Sequence, residues 1–319
     1  MTKFILSIIL CLSINTISGQ EVHPLHKIKT SGAITDFVFN DPLIILSTDA
    51  GTIETYNVIS GKRENFMQLP VMKDFMGDPV PTKIFSVDKL SQRILSVTQG
   101  IHGFRNVIIF ENGQQEEIIN AEKDKMMIKK ARWVSGNTIL LGLMSNDLIL
   151  FDVTQKQAIC ELNISPYTFS DFSLTEDKQY AFTADESGIV HKIDVNNCEA
   201  RQDYSGINVD NIYQIAYKSG IVITAGQDRR VGVYNTITGG DYFLQENFLV
   251  YSIGLSSDGS IGAYSASEEN NISVFMTDSR KEIGILKGHQ SVITRMEFIN
   301  KQTLATVADD HFLMIWKIN

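Results

Sequence analysis

Residues 304–318 read LATVADDHFLMIWKI: two short apolar runs on either side of Asp309 and Asp310. Runs of this length, rich in β-branched and aromatic residues and split by a polar turn, predict a β-hairpin rather than a helix. The same ending recurs upstream, as IETYN at 53–57, VIIFE at 107–111, LILFD at 148–152, VHKID at 190–194, VGVYN at 231–235 and ISVFM at 272–276. The large residue near each end falls at Tyr56, Phe110, Phe151, Ile193, Tyr234, Phe275 and Trp316, with successive spacings of 54, 41, 42, 41, 41 and 41. A fixed period of this size marks a repeat architecture.

A second anchor keeps the same register. Each unit opens with an apolar, partly alternating run: ITDFVF from Ile34, TKIFSV from Thr82, IKKARW from Ile128, FSDFSL from Phe169, IYQIAY from Ile212, VYSIGL from Val250 and ITRMEF from Ile293. A further short apolar run lies between the two anchors, as in ILST at 45–48 and VITAG at 222–226, and another follows the large residue, as in QAICELNI from Gln157. Four short antiparallel strands per unit of about 40 to 45 residues form one propeller blade. The fold class expected is therefore all-β, a seven-bladed β-propeller over 20–319 as a single domain. The last unit stops one strand short at Asn319, and PLHKIKT at 24–30 stands free to supply the missing strand and close the ring.

The last unit resembles the WD-repeat family. Gly288 and His289 stand in the loop before its first strand, Thr306 in its second, Asp310 six residues before the end, and Trp316 at the end of the third. The resemblance implies that His289, Thr306, Asp310 and Trp316 form a structural tetrad, each buried polar group satisfying another. The other six units share the period and lack the Gly-His pair, so the WD40-like likeness covers the whole chain in spacing and one blade in detail. In size, leader, degenerate repeats and Lys/Asn/Ile-rich composition the chain also resembles the exported, NapL-like accessory propellers of bacterial periplasmic nitrate reductase systems. That likeness implies an accessory or maturation role exerted through contacts with nitrate reductase subunits.

The N-terminus reads as a leader. Lys3 precedes the apolar run FILSIILCLSI at 4–14, and NTISG at 15–19 offers small residues for cleavage. This order is that of a signal peptide over 1–19, and the run is too short to span a bilayer. Leu10 before Cys11 argues against lipidation. The expected location is periplasmic, or secreted if the source is not Gram-negative, with no integral membrane span after leader removal. A formal net charge of −9 argues against a nucleic-acid partner. Beyond the leader stand Cys160 and Cys198, which an oxidising compartment would allow to pair and which could equally be free thiols.

No catalytic, cofactor-binding or metal-ligating set emerges from the spacing. The six histidines form no HExxH, and there is no CxxC, P-loop or GxSxG. The expected function is a non-catalytic protein-interaction scaffold without cofactors. The alternatives are a propeller enzyme or glycan-binding protein using the mouth of the central channel, and an outer-membrane protein assembly propeller. The candidate partner-binding residues are Met72, Phe75 and Met76, in the insertion MQLPVMKDFMGDPVP at 67–81, and Arg229 and Arg230 in a turn on the same rim. Long insertions carrying flexible and aromatic apolar groups are frequent docking elements. The competing outcome for the insertion is that its apolar residues fold back over the groove between blades one and two.

Overall fold

The protein, described by a computed structural model over residues 21–318, is a closed ring of seven antiparallel blades. The blades span 34–68, 84–119, 128–163, 169–204, 212–245, 252–286 and 293–317, each with its first strand innermost. The leader assigned to 1–19 lies outside the described residues. The inner strand of blade two begins at Ile84, two residues later than the sequence pattern placed it, and that of blade six at Ser252.

Strand composition follows position in the ring. The second strand of blade one, Leu43–Thr48, is buried at almost every residue, because both of its faces meet a neighbouring blade. Its outer strand, Arg63–Gln68, is largely exposed and correspondingly polar. This is why middle strands read as unbroken apolar runs and outer strands do not. The repeat anchors Tyr56, Phe110, Phe151, Ile193, Tyr234, Phe275 and Trp316 are all buried. The core is divided into seven apolar clusters, and each one joins a different pair of adjacent blades. The cluster between blades seven and one, with Leu313 and Ile315 against Phe37 and Ile44, closes the circle. Burying each such side chain contributes about 1.5–3 kcal/mol.

Closure also comes from strand pairing between the two ends of the ring. Pro24–Lys29 pairs antiparallel with Phe312–Lys317 and completes blade seven. The chain does something further that its sequence did not advertise: Glu21–Val22 pairs parallel with the outer strand of blade six, Glu282–Leu286. The N-terminal segment thus ties two blades together and covers edge groups that would otherwise remain unpaired. Cys160 and Cys198 are joined by a disulfide, with Cα atoms 5.9 Å apart. It staples the outer strand of blade three to the outer turn of blade four, beside the apolar cluster that these blades share. Among the described residues no helix is long and apolar enough to cross a membrane.

Candidate partner-binding face

The inner strands line a central channel, and their repeat geometry decides what faces it. In blades one, three, four, five and seven the ladder slips by one residue just after the strand begins. Blade two slips at the matching place. Such bulges turn an extra side chain out of the pleat. Here they aim Thr35, Phe85, Lys129, Ser170, Tyr213 and Thr294 at one mouth, a cavity of about 610 Å³. The next repeat position carries Asp36, Ser86, Lys130, Asp171, Gln214, Ser252 and Arg295, and six of these build a polar belt across the channel.

The belt is hydrogen-bonded from blade to blade. Arg132 donates to both oxygens of Asp36, Nη1 at 2.9 Å and Nη2 at 3.0 Å. Ser86 Oγ and the Val87 amide also donate to Asp36, and Arg295 Nε lies 3.3 Å from it. Lys130 Nζ meets Asp171 at 2.6 Å and the Phe172 carbonyl at 2.7 Å. Asp171 accepts from the Ile215 amide, and Gln214 bridges the Ile253 amide to the Thr294 carbonyl. Every blade therefore has a partner in the belt. Burial alone would raise the Asp36 carboxyl, but Arg132 and Arg295 beside it hold it well below the usual carboxylate range. Burial pushes the Lys130 ammonium down to about 8, with Asp171 opposing the shift and Arg132 and Arg295 adding to it. Lys130, Asp171, Gln214 and Arg295 line both this mouth and a narrower cavity of about 370 Å³ beyond, so the belt partitions the channel.

The insertion folds into a small β-hairpin, Met72–Lys73 against Pro79–Val80, on the rim of the wider mouth. Asp74 Oδ1 holds its tip by accepting from the Met76 and Asp78 amides, both at 2.9 Å. Leu69 packs into the blade one to two cluster and roots the hairpin. Phe75 is 98% exposed and Met76 74%, while Met72 is half-buried in the stem. The tip projects from the rim and does not cover the groove. Arg229 and Arg230 diverge in role. Arg230 is drawn into blade five, donating to the Ile207 carbonyl at 2.8 Å and stacking 4.3 Å over Phe243. Arg229 is exposed at φ +65°, where blades one and four place Gly51 and Gly188.

On the same side of blade seven, His289 Nε2 and Trp316 Nε1 each lie 2.8 Å from Thr306 Oγ1, and His289 Nδ1 lies 3.0 Å from Asp310. The four side chains form one chain of hydrogen bonds, and Asp310 additionally accepts from the Gln290 amide.

Blade four carries a polar cluster that its sequence spacing did not reveal. Buried His191 lies between Asp203, at 2.8 Å from Nδ1, and Asp185, at 3.4 Å from Nε2. Asp185 also accepts from Asn146 of blade three and from Ser165 in the connection between the two blades. Burial opposes the charged imidazole, but the neighbouring Asp185 and Asp203 carboxylates outweigh it and raise His191 above its ordinary 6.5. Burial likewise opposes the Asp185 carboxylate, and His191, Ser187 and Ser165 outweigh it and lower its pKa. The raised His191 contributes stability fully below about pH 6.5, and that contribution is lost as pH rises through its higher folded value. The lowered Asp185 contributes above the ordinary carboxylate range and is lost as pH falls below it. Wild type should therefore lose stability, relative to His191→Gln, over the interval in which pH rises from about 6.5 through the raised folded value. Chemical denaturation across that interval checks it, and parallel curves for the two proteins would refute the assignment.

The channel belt was legible in principle. The aligned opening runs place charged or polar residues at one repeat position of otherwise apolar strands, and strands innermost in a propeller can only point such groups into the channel. The blade-four cluster had no such signal, since its members come from four separate segments.

No family model and no curated protein matches the chain. Among solved structures, it is similar to the β-propeller domain of Cps50 (Swd1) from Myceliophteria thermophila, with 14% identity, 93% of this chain and 99% of that chain covered, and a TM-score of 0.74. At that identity the likeness concerns the fold.

Proposed function

We propose that this chain is an exported, non-catalytic scaffold that docks a protein partner on the wide-mouth rim of its propeller. One observation carries this reading: a rooted hairpin on a rigid ring holds Phe75 and Met76 out in solvent at 98% and 74% exposure. A large aromatic group kept exposed at the tip of an ordered element has no use in the stability of its own fold, and aromatic and methionine side chains are favoured anchors in interfaces. The leader-like N-terminus supports export, and the Cys160–Cys198 disulfide suits an oxidising compartment. The finer assignment is an accessory or maturation factor of a periplasmic nitrate reductase system. It rests on the resemblance in size, leader and degenerate repeats.

Affinity capture of the tagged mature protein from its extracytoplasmic extract tests both levels. Recovery of nitrate reductase subunits supports the finer assignment, and recovery of a different stable complex removes it and keeps the scaffold. Phe75→Ser with Met76→Ser should weaken capture by about tenfold or more, the size expected of losing a central apolar anchor, and leave the denaturation midpoint within experimental error. An unchanged capture, or a clear loss of stability, would refute the docking role of the hairpin.

A further inference from the structure

We propose that the wide mouth is a docking slot for a carboxylate-rich segment of a protein partner, with Lys83, Arg105 and Lys129 as its anion-binding side chains. The inference deepens the docking reading above and rests on it. These three cations come from adjacent blades, two and three, and line one cavity. In a chain of net charge −9, none of them has a carboxylate at ion-pair distance among the described residues. Each is held in place by other means. Arg105 donates to the Gly103 and Phe104 carbonyls and stacks 3.8 Å over the Phe85 ring. Lys83 lies 5.4 Å from the same ring, and Lys129 donates to the Phe169 carbonyl at 3.1 Å. Burial lowers Arg105, whereas Lys129 stands exposed at the mouth, with Asp171 and Glu186 near enough to favour its charged form.

Lys83 and Arg105 are half-buried with no carboxylate at ion-pair distance among the described residues, and an incoming carboxylate relieves the cost of that partial desolvation. The acidic groups of the mouth cannot serve the purpose. Asp36 and Asp171 are committed to the belt, Asp49 accepts from the Ala33 amide at the start of blade one, and Asp309 stands exposed on blade seven, beyond ion-pair distance of the three cations. A cavity of about 610 Å³ admits side chains of an extended segment and excludes a folded domain. Lys83 follows Val80 by three residues, so the slot adjoins the exposed hairpin and one partner segment can use both. The anion-binding groups are arginine and lysine around an aromatic ring, a set suited to side-chain carboxylates.

The test uses the whole mature protein and a fluorescein-labelled octapeptide of alternating glutamate and glycine as probe, followed by anisotropy. The probe should bind, and its glutamine counterpart should not. Raising the salt concentration should weaken binding. Lys83→Glu with Arg105→Glu should weaken it by about tenfold or more, and Lys83→Gln with Arg105→Gln, the milder pair, should weaken it in the same direction with the fold intact by circular dichroism. Equal binding of the two peptides, or binding indifferent to both pairs of substitutions, would overturn the slot. Displacement of the probe by free succinate, mole for mole, would reassign the site to a small dicarboxylate and overturn the peptide proposal. Phe75→Ser with Met76→Ser should leave probe binding unchanged, so failure of the hairpin and failure of the slot give different results.

Discussion

Asp36→Ala will lower the unfolding free energy by about 3–5 kcal/mol, the cost of leaving a buried charge without its partner. Asp36 is the node of the channel belt. Its carboxylate accepts from Arg132 through both terminal nitrogens, from Ser86, and from the Val87 and Phe37 amides, and Arg295 stands 3.3 Å away. Its removal unties blades seven, one, two and three at once. It also leaves the buried Arg132 guanidinium, which Asp36 and Asp88 together hold firmly in its charged form, with its closest carboxylate gone. Asp36→Asn keeps the shape and loses the charge, so it should fall between wild type and alanine. Replacing Asp36, Arg132 and Arg295 together by leucine and methionine should recover much of the loss, because an apolar plug of similar volume has no charges to desolvate. Denaturant midpoints of the four proteins measure the series. A loss below about 1 kcal/mol for Asp36→Ala would mean that the belt is hydrated and behaves as a surface ion pair.

Loss of the Cys160–Cys198 cross-link should cost about 4 kcal/mol on the chain-entropy argument, since it closes a loop of about 40 residues in the unfolded chain. The two cysteines stand 38 residues apart and bridge the outer edges of blades three and four. The same two blades share the apolar cluster of Leu148, Leu150, Phe172 and Ile193, and the Asn146–Asp185 hydrogen bond. The reduced protein should therefore remain a closed propeller at room temperature and unfold at a lower denaturant concentration. Cys160→Ala with Cys198→Ala tests the same quantity without reductant. A midpoint that does not move under either treatment would refute the chain-entropy contribution of the cross-link.

The ring was legible in the primary structure because the forces that shape it are periodic. A blade whose middle strands are buried on both faces must repeat an apolar run at fixed spacing. Tyr56, Phe110, Phe151, Ile193, Tyr234, Phe275 and Trp316 keep that spacing, within one residue from Phe110 onward, although the Gly-His pair stands before one blade alone. The free strand at 24–30 and the incomplete last unit likewise followed from counting strands. Chain order alone also placed His289, Thr306, Asp310 and Trp316 on one blade.

What required the tertiary structure is everything set by the meeting of distant units. The parallel pairing of Val22 with Leu286 depends on an edge left open by blade six. Whether Cys160 and Cys198 are close enough to join depends on how two blades splay. The division between Arg229, exposed, and Arg230, folded back onto Ile207 and Phe243, turns on one residue held at positive φ. The joining of Asp36 to Arg132 across 96 positions, and the convergence of Lys83, Arg105 and Lys129 on one mouth, come from the bulges and from ring closure. Periodic burial is a local property that each repeat carries in its own residues. Charge pairing and cavity lining are pairwise properties of residues far apart in the chain, and they exist only once the seven blades have closed on one another.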